Sequence, residues 1–191
     1  MDAKDVTEVA AHCAAFLDGV VEADWAAVVP GMGWTVAATA AHVSDCLLWY
    51  ATDLAAGPVE LSTAEVAVRP GSPPGELVRT LETFASVLAS VVAAVPSGSL
   101  GWHPWGLADA AGFAAMACDE MLVHTHDVGR GLAVAFEPPS RYAEKVVARL
   151  FPDAPTGHDP VDTLLWANGR VPLAGLPRRE GWRWRCAPLD S

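Results

Sequence analysis

Basic residues are scarce in this chain, and their scarcity excludes one class of partner. The 191 residues contain 12 Lys and Arg against 23 Asp and Glu, which gives a formal net charge of −11. Lysine occurs only as Lys4 and Lys145. Because proteins neutralise nucleic-acid phosphates with Lys and Arg, we expect no nucleic-acid partner. Arginine is concentrated in residues 178–185, where it predicts either a solvated tail or a clamp for an anion.

Long apolar runs are also missing. The longest apolar stretch, residues 84–95, is shorter than the roughly 20 residues that a membrane-spanning helix needs. No basic segment precedes an apolar run at the N-terminus, so the sequence predicts no signal peptide. Apolar residues make up 52% of the chain and charged residues 18%, which excludes a disordered protein. We expect a soluble, cytoplasmic protein that does not bind membranes.

Cysteine is sparse and unpaired in the sequence. The four cysteines lie far apart, at positions 13, 46, 118 and 186, with no C-x-x-C pair. In a chain without a secretory signal they predict free, buried thiols rather than a disulfide framework. The chain also lacks a P-loop, a dinucleotide-binding fingerprint, a G-x-S-x-G elbow and an H-E-x-x-H motif. The enzyme classes that use these motifs therefore have no support.

Apolar residues recur at helical spacing in five segments, which Pro and Gly clusters separate. The predicted helices span residues 5–22, 35–54, 75–95, 107–132 and 137–151, with Thr35 as an N-cap. Residues 152–191 are richer in Pro, Gly, Arg and Trp, and predict a helical turn at 162–167 and a short strand at 182–185. The pattern predicts an all-α four-helix bundle over residues 1–151, with a short C-terminal extension, residues 152–191, packed on it.

The fourth predicted helix carries ionisable residues on its buried face. Its stripe at steps of three and four begins with small and apolar residues, yet it continues with Glu120, His124 and Asp127. Burying these charges without partners would cost several kcal/mol, on the order of the penalty for a desolvated ion. A divalent cation would compensate for that burial, and the i, i+4 spacing lets Glu120 and His124 bind one ion. His126 points about 200° away from His124 on the helix and is left out of the site.

A third ligand is expected from the second helix, where His42 lies in an apolar setting. Two imidazoles and one carboxylate suit Zn²⁺, with Ni²⁺ and Fe²⁺ as alternatives. Three protein ligands leave one coordination position open, as in catalytic zinc sites. The structural alternatives are a hydrogen-bonded core histidine at His42 and pairing of Glu120 with Arg130.

Three motifs are similar to those of a known family. PGMGWTV at residues 30–36, followed by AAHV at 40–43, is similar to the entry into that family's second helix. DEMLVHTHD at residues 119–127 resembles its E-x-x-x-H-x-x-D helix, and LLWANGR at 164–170 resembles the tail of many single-domain members. On these motifs, residues 5–150 resemble the DinB-like superfamily and, within it, the mycothiol-dependent maleylpyruvate isomerase N-terminal domain family.

The resemblance implies a DinB-like fold, a metal held by His42, Glu120 and His124, and a supporting role for Asp127. It also implies that a small thiol, mycothiol in actinobacteria, takes the open metal position as a thiolate and attacks a small electrophile. The implied activity is that of an S-transferase or isomerase, although the isomerases themselves carry a larger C-terminal domain. Asp127 and Asp45 are the candidates for positioning the thiol or relaying protons, and a plain surface carboxylate is the alternative for Asp45.

Two other functions stay open at this point: a non-catalytic metal-binding or stress-related protein, and a metal-dependent hydrolase. A closed site with a fourth protein ligand would indicate the binding protein, whereas a deep channel beside the metal would indicate the transferase. Trp34, Trp49, Trp102 and Trp105 are candidates for lining a pocket, with core anchors as the alternative. Cys46 lies one turn from His42 and is expected to serve packing, with a position near the metal as the alternative. The oligomeric state is open, since bundles of this kind can pair through an apolar face as homodimers.

Overall fold

The computed structural model describes residues 1–189, which form six helices and one small two-stranded sheet. The elements are α1 (Ala3–Asp18), α2 (Val36–Ala56), α3 (Pro74–Ala94), β1 (Leu100–Gly101), β2 (Ala108–Asp109), α4 (Ala110–Leu132), α5 (Ser140–Leu150) and α6 (Pro160–Ala167). The strands β1 and β2 pair antiparallel immediately before α4. The fold is the all-α, DinB-like class that the sequence predicts.

The first four helices form the bundle. Helices α1 and α2 each pack against both α3 and α4, so that α2 and α4 are neighbours along their length. Helix α5 packs against α4 and α6. This arrangement places the first half of α2, with His42, beside the middle of α4, with Glu120 and His124.

Side-chain caps set the starts of the two helices that matter most for the site. The Thr35 hydroxyl accepts a hydrogen bond from the Ala38 amide (3.1 Å), which confirms Thr35 as the N-cap of α2. The Asp109 carboxylate accepts from the Gly112 amide (2.8 Å) at the start of α4. Helix α4 begins at Ala110 rather than near residue 107, because the chain before it extends to pair with β1.

Other element boundaries differ from the sequence expectation. Helix α1 ends at Asp18, and the chain continues in turns as far as residue 22. Helix α5 begins at Ser140, after the two prolines at 138–139. The strand expected at residues 182–185 is absent from the described chain: this segment is irregular, because its tryptophans pack inward against side chains rather than beside a second strand.

Helix α3 is long and apolar enough to cross a membrane by length and composition alone. It has 21 residues, more than the apolar stretch 84–95 on which the sequence expectation was based. Leu77, Leu81 and Leu88 on one of its faces are buried against the bundle. This face packs against α1 and α2, and 39% of the apolar window of α3 is buried in this way.

The C-terminal extension is tied to the bundle by buried hydrogen bonds. Arg149 of α5 is buried and donates to the Asp109 carboxylate (2.7 Å) and to the carbonyls of Arg185 (3.0 Å) and Cys186 (3.1 Å). Hydrogen bonds from a charged donor are about twice as strong as neutral ones. The Arg149 side chain thus links the start of α4 to residues 185–186 of the extension.

Gly101 marks the closest approach of β1 to the bundle. A Cβ at this position would lie 2.6 Å from the ring of Phe113 and 2.7 Å from the Cα of Leu54. We expect Gly101→Ala to lower the free energy of unfolding by about 1–3 kcal/mol, because the backbone of α2 cannot move aside. Gly71→Ala is the matched control, since nothing lies within 4 Å of its Cβ. Equal urea midpoints for the two variants would contradict the close approach.

Candidate metal centre

The structure brings together the three side chains that the sequence predicts as ligands. His42 of α2 and His124 of α4 both turn their Nε2 atoms toward Glu120. The Glu120 Oε2 atom lies 3.1 Å from His124 Nε2 and 3.7 Å from His42 Nε2. One candidate ligand atom from each residue lies within 4.8 Å of the other two. The two ligands of α4 are one turn apart, and the third comes from the neighbouring helix.

Glu120 is the centre of this cluster. Its Oε1 accepts a hydrogen bond from the Tyr50 hydroxyl (3.2 Å), whereas its Oε2 is buried and has no hydrogen bond to any residue in 1–189. Burial alone would raise the pKa of Glu120, but His124 and then His42 outweigh it and hold the pKa below its ordinary value. A buried, ionised oxygen without a hydrogen bond is costly unless a cation binds it.

His124 is oriented by a chain of charged groups behind it. Its Nδ1 lies 3.1 Å from Asp127 Oδ2, and Asp127 accepts a second strong hydrogen bond from Arg170 Nη2 (2.7 Å). Burial opposes ionisation of Asp127, yet His124 and Arg170 lower its pKa to about 2. Because an ionised carboxylate only accepts, the Nδ1 of His124 carries a proton. Burial opposes a second proton, yet Asp127 and Glu120 raise the pKa of His124 to about 9, so a metal bound at Nε2 would displace the proton that faces Glu120. A carboxylate behind a metal-binding histidine fixes the ring in this way.

His42 forms the more accessible side of the cluster. Its ring packs edge-on against Trp34, with centroids 4.9 Å apart, and its Nε2 lies 3.5 Å from Cys46 Sγ. Burial lowers the pKa of His42, with Glu120 opposing the shift, so the ring favours its neutral form. Neutral imidazole is the form that binds a metal.

The donor set fits a borderline divalent cation. Two imidazole nitrogens and one carboxylate oxygen suit Zn²⁺. Ligand atoms about 2.1 Å from one tetrahedral Zn²⁺ lie about 3.4 Å apart, and the observed 3.1 and 3.7 Å separations bracket that value. Among residues 1–189 the cluster contains three candidate ligands and no fourth. The orphaned oxygen of Glu120 is the observation that most favours a cation here.

The cluster lies in the wall of a cavity of about 620 Å³. Six tryptophans line it: Trp34, Trp49, Trp102, Trp105, Trp182 and Trp184. Trp34, Trp49 and Trp105 are 42%, 44% and 39% exposed and form part of its rim. Such a cavity can hold a small molecule beside the three candidate ligands.

The other sequence candidates fall into two groups. Cys46 lines the cavity, and so do the four tryptophans that the sequence suggested for a pocket, Trp34, Trp49, Trp102 and Trp105. Asp127 is fully buried behind His124 and does not line it. Asp45 is also absent from the lining, and its Oδ1 accepts a hydrogen bond from the Val68 amide (2.6 Å), which holds the loop between α2 and α3.

Several cavity residues were not predicted as site residues. Asn168, Arg170, Trp182 and Trp184 come from the C-terminal extension, and His103 comes from the turn between β1 and β2. The LLWANGR motif contains Asn168 and Arg170, so its resemblance could have suggested a site role. The inward packing of the two tryptophans follows from contacts with residues far away in sequence, which no local pattern indicates.

Asp119 links the extension to the cavity. Its two carboxylate oxygens accept hydrogen bonds from Asn168 Nδ2 (2.8 Å) and Trp184 Nε1 (2.9 Å). Burial, with a smaller contribution from the charge of Glu120, raises the pKa of Asp119 to about 7. Asp119 therefore holds Asn168 and Trp184 of the C-terminal extension in the cavity wall.

His103 is expected to make the protein less stable in weak acid. Burial lowers its pKa to about 4, and its Nδ1 accepts a hydrogen bond from the Trp105 amide (3.1 Å). Below pH 6.5 the unfolded chain takes up a proton that the folded chain does not, so stability falls as the pH decreases toward 4. Relative to His103→Asn, the wild type should lose roughly 1–2 kcal/mol between pH 7.5 and pH 5. Urea unfolding at the two pH values measures this, and equal losses in both proteins would contradict it.

Comparison with known proteins identifies one family. The model of the mycothiol maleylpyruvate isomerase N-terminal domain matches residues 6–129, about two thirds of the chain. Comparisons with curated proteins and with solved structures found no match. The matched range includes all three candidate ligands and ends before α5, so the wall built by the extension lies outside it. The chain therefore belongs to the mycothiol maleylpyruvate isomerase N-terminal domain family.

Proposed function

We propose that this protein is a cytoplasmic, metal-dependent enzyme that transfers a small thiol of the mycothiol type to a small electrophile, or uses that thiol to isomerise it. One observation carries the proposal: the buried Oε2 of Glu120, which has no hydrogen bond within residues 1–189, lies 3.1 and 3.7 Å from two imidazole nitrogens in the wall of a large, tryptophan-lined cavity. Family membership supports the same direction. Zn²⁺ is the proposed metal because the donors are two imidazoles and one carboxylate.

The roles of the residues follow from their contacts. His42, Glu120 and His124 would hold the metal, and Tyr50 orients Glu120 by donating to its Oε1. Asp127 would accept from Nδ1 of His124 and so leave Nε2 to bind the metal. When bound, the metal would lower the pKa of the thiol and so supply a thiolate at neutral pH.

The reaction needs one nucleophilic step. The thiolate sulfur adds to an electrophilic carbon of a conjugated double bond, and the displaced electron pair takes up a proton at the adjacent position. Loss of that proton and of the thiol after rotation about the new single bond gives the isomer, whereas retention of the carbon–sulfur bond gives the S-conjugate.

The cavity separates this proposal from its alternatives. A non-catalytic metal-binding protein would be expected to supply a fourth ligand and a closed site, but the cluster within residues 1–189 has three candidate ligands in the wall of a 620 Å³ cavity. A hydrolase would use the same ligands but would not respond to thiols. Thiol binding is therefore the property to test.

Cobalt substitution tests the proposal directly. The Co²⁺-loaded protein should change its visible absorption saturably on addition of mycothiol, because a new sulfur ligand alters the d–d bands and adds a charge-transfer band. S-methylated mycothiol is the matched control and should leave the spectrum unchanged. A Co²⁺ spectrum that ignores mycothiol would contradict the thiol-using function and favour the hydrolase or the binding protein.

A further inference from the structure

A second pocket, of about 410 Å³, is lined by three arginines. It lies beside the tryptophan-lined cavity that contains His42, Glu120 and His124, which we call the metal cavity. Arg130 comes from the last turn of α4, and Arg170 and Arg178 come from the C-terminal extension. We call this the arginine pocket. One acidic residue, Asp127, also lines it. In a protein of net charge −11, three of the 12 basic residues thus face one small space.

The positive charge of the arginine pocket is only partly compensated within residues 1–189. Arg170 is committed to Asp127, through Nη2 (2.7 Å), and to the Asn168 carbonyl, through Nη1 (2.8 Å). Arg130 Nη1 lies 3.9 Å from the same Asp127. One carboxylate therefore faces three guanidinium groups, and two positive charges have no counter-charge in the pocket.

Arg178 is held in a position that leaves its donors available. Its Nε donates to the Gly169 carbonyl, which fixes the guanidinium plane. In the described part of the chain its Nη1 and Nη2 atoms make no hydrogen bond. A guanidinium presents its donors in a planar fork that matches carboxylate and phosphate oxygens.

The arginine pocket adjoins the metal cavity. Met32, Trp34 and Arg170 line both spaces, so the arginines lie next to the cavity that contains the three candidate metal ligands. The metal cavity is lined by aromatic rings and suits an apolar body. The two spaces together therefore match a molecule that has an anionic end and an apolar body.

We propose that Arg130, Arg170 and Arg178 form a binding site for the carboxylate or phosphate of an organic anion whose apolar body extends into the metal cavity. Assignment of this anion as the electrophilic substrate rests on the proposed function. The binding itself requires neither thiol nor turnover. It therefore succeeds or fails independently of the reaction.

Calorimetric titration with unreactive probes tests the site. 4-Phenylbutyrate should bind at least about tenfold more tightly than 4-phenylbutanamide, which lacks the charge, because a charge-assisted pair contributes about 1.5–3 kcal/mol. It should also bind more tightly than acetate, which lacks the apolar body. Inorganic phosphate that binds more tightly than phenylbutyrate would indicate a site for a free anion and overturn the assignment to an organic one.

Two matched variants locate the binding. Arg178→Gln should weaken phenylbutyrate binding at least about fivefold, and Arg178→Lys should restore part of it, since one charge-assisted contact is lost and then partly replaced. Arg183→Gln removes the same charge from an exposed position outside the arginine pocket and should change the affinity less than about twofold, as expected for a screened surface charge. Equal losses in the two Gln variants would overturn the proposal.

The result is separable from the proposed function. Phenylbutyrate binding in a protein whose Co²⁺ ignores mycothiol would leave the anion site in place and remove the transferase. A Co²⁺ spectrum that responds to mycothiol, in a protein that binds phenylbutyrate no better than phenylbutanamide, would support the transferase and overturn the anion site.

Discussion

His124→Ala should abolish metal binding. The purified wild type should contain about one divalent metal ion per chain, and the variant less than about 0.1, because two remaining ligands cannot hold a three-ligand site. His124 also contacts a carboxylate on each side of its ring: its Nε2 lies 3.1 Å from Glu120 Oε2, and its Nδ1 lies 3.1 Å from Asp127 Oδ2. Elemental analysis after dialysis against a weak chelator measures the content.

His126→Ala is the matched control for this experiment. It removes the same side chain two residues later on α4, from a half-buried position that does not line the cavity. It should retain the wild-type metal content. Equal metal in wild type and His124→Ala, or none in the wild type, would show that the three-residue cluster is not a metal site.

Asp127→Asn should weaken both metal affinity and stability. The carboxylate fixes His124 from behind, and loss of such a partner raises the metal dissociation constant about 10- to 100-fold. The Asp127 carboxylate also neutralises Arg170, whose side chain is only 14% exposed. Removing one member of a buried ion pair is expected to lower the free energy of unfolding by about 3 kcal/mol.

The two effects of Asp127→Asn have separate measurements. Competition with a chromophoric chelator reports metal affinity, and urea unfolding of the metal-free protein reports stability. Asp18→Asn at the exposed end of α1 makes the same chemical change away from the site and should leave both quantities near wild type. An unchanged metal affinity alongside a loss of stability would mean that Asp127 serves Arg170 alone.

The positions of Glu120, His124 and Asp127 on one buried face could be predicted because they are local. An α-helix fixes the geometry of residues three and four apart, so the stripe on α4 follows from the sequence once the helix is recognised. The start of α2 at Thr35 is local in the same sense. His42 was expected in the same site from its apolar surroundings and from the resemblance of residues 40–43, and the structure places it beside Glu120.

Asp45 lies outside the cavity wall, although its position on α2 predicted a role in the site. One helical turn separates it from His42, which suggested a role in the site. Its carboxylate instead accepts the Val68 amide from a loop 23 residues away, and it does not line the cavity. Residues three apart on a helix point about 60° away from each other, so the facing loop decides which of them reaches the site.

The sequence by itself determined the helical bundle, the acidic and imidazole stripe of α4 and, through its motifs, the family. Only the tertiary structure decided that residues 168–184 complete the cavity wall and that Arg130 meets Arg170 and Arg178 in one pocket. The physical reason is the range of the interactions. Helical periodicity acts over three or four residues, whereas the hydrogen bonds from Asn168 and Trp184 to Asp119 join positions 49 and 65 residues apart, and these depend on how the extension packs against the bundle.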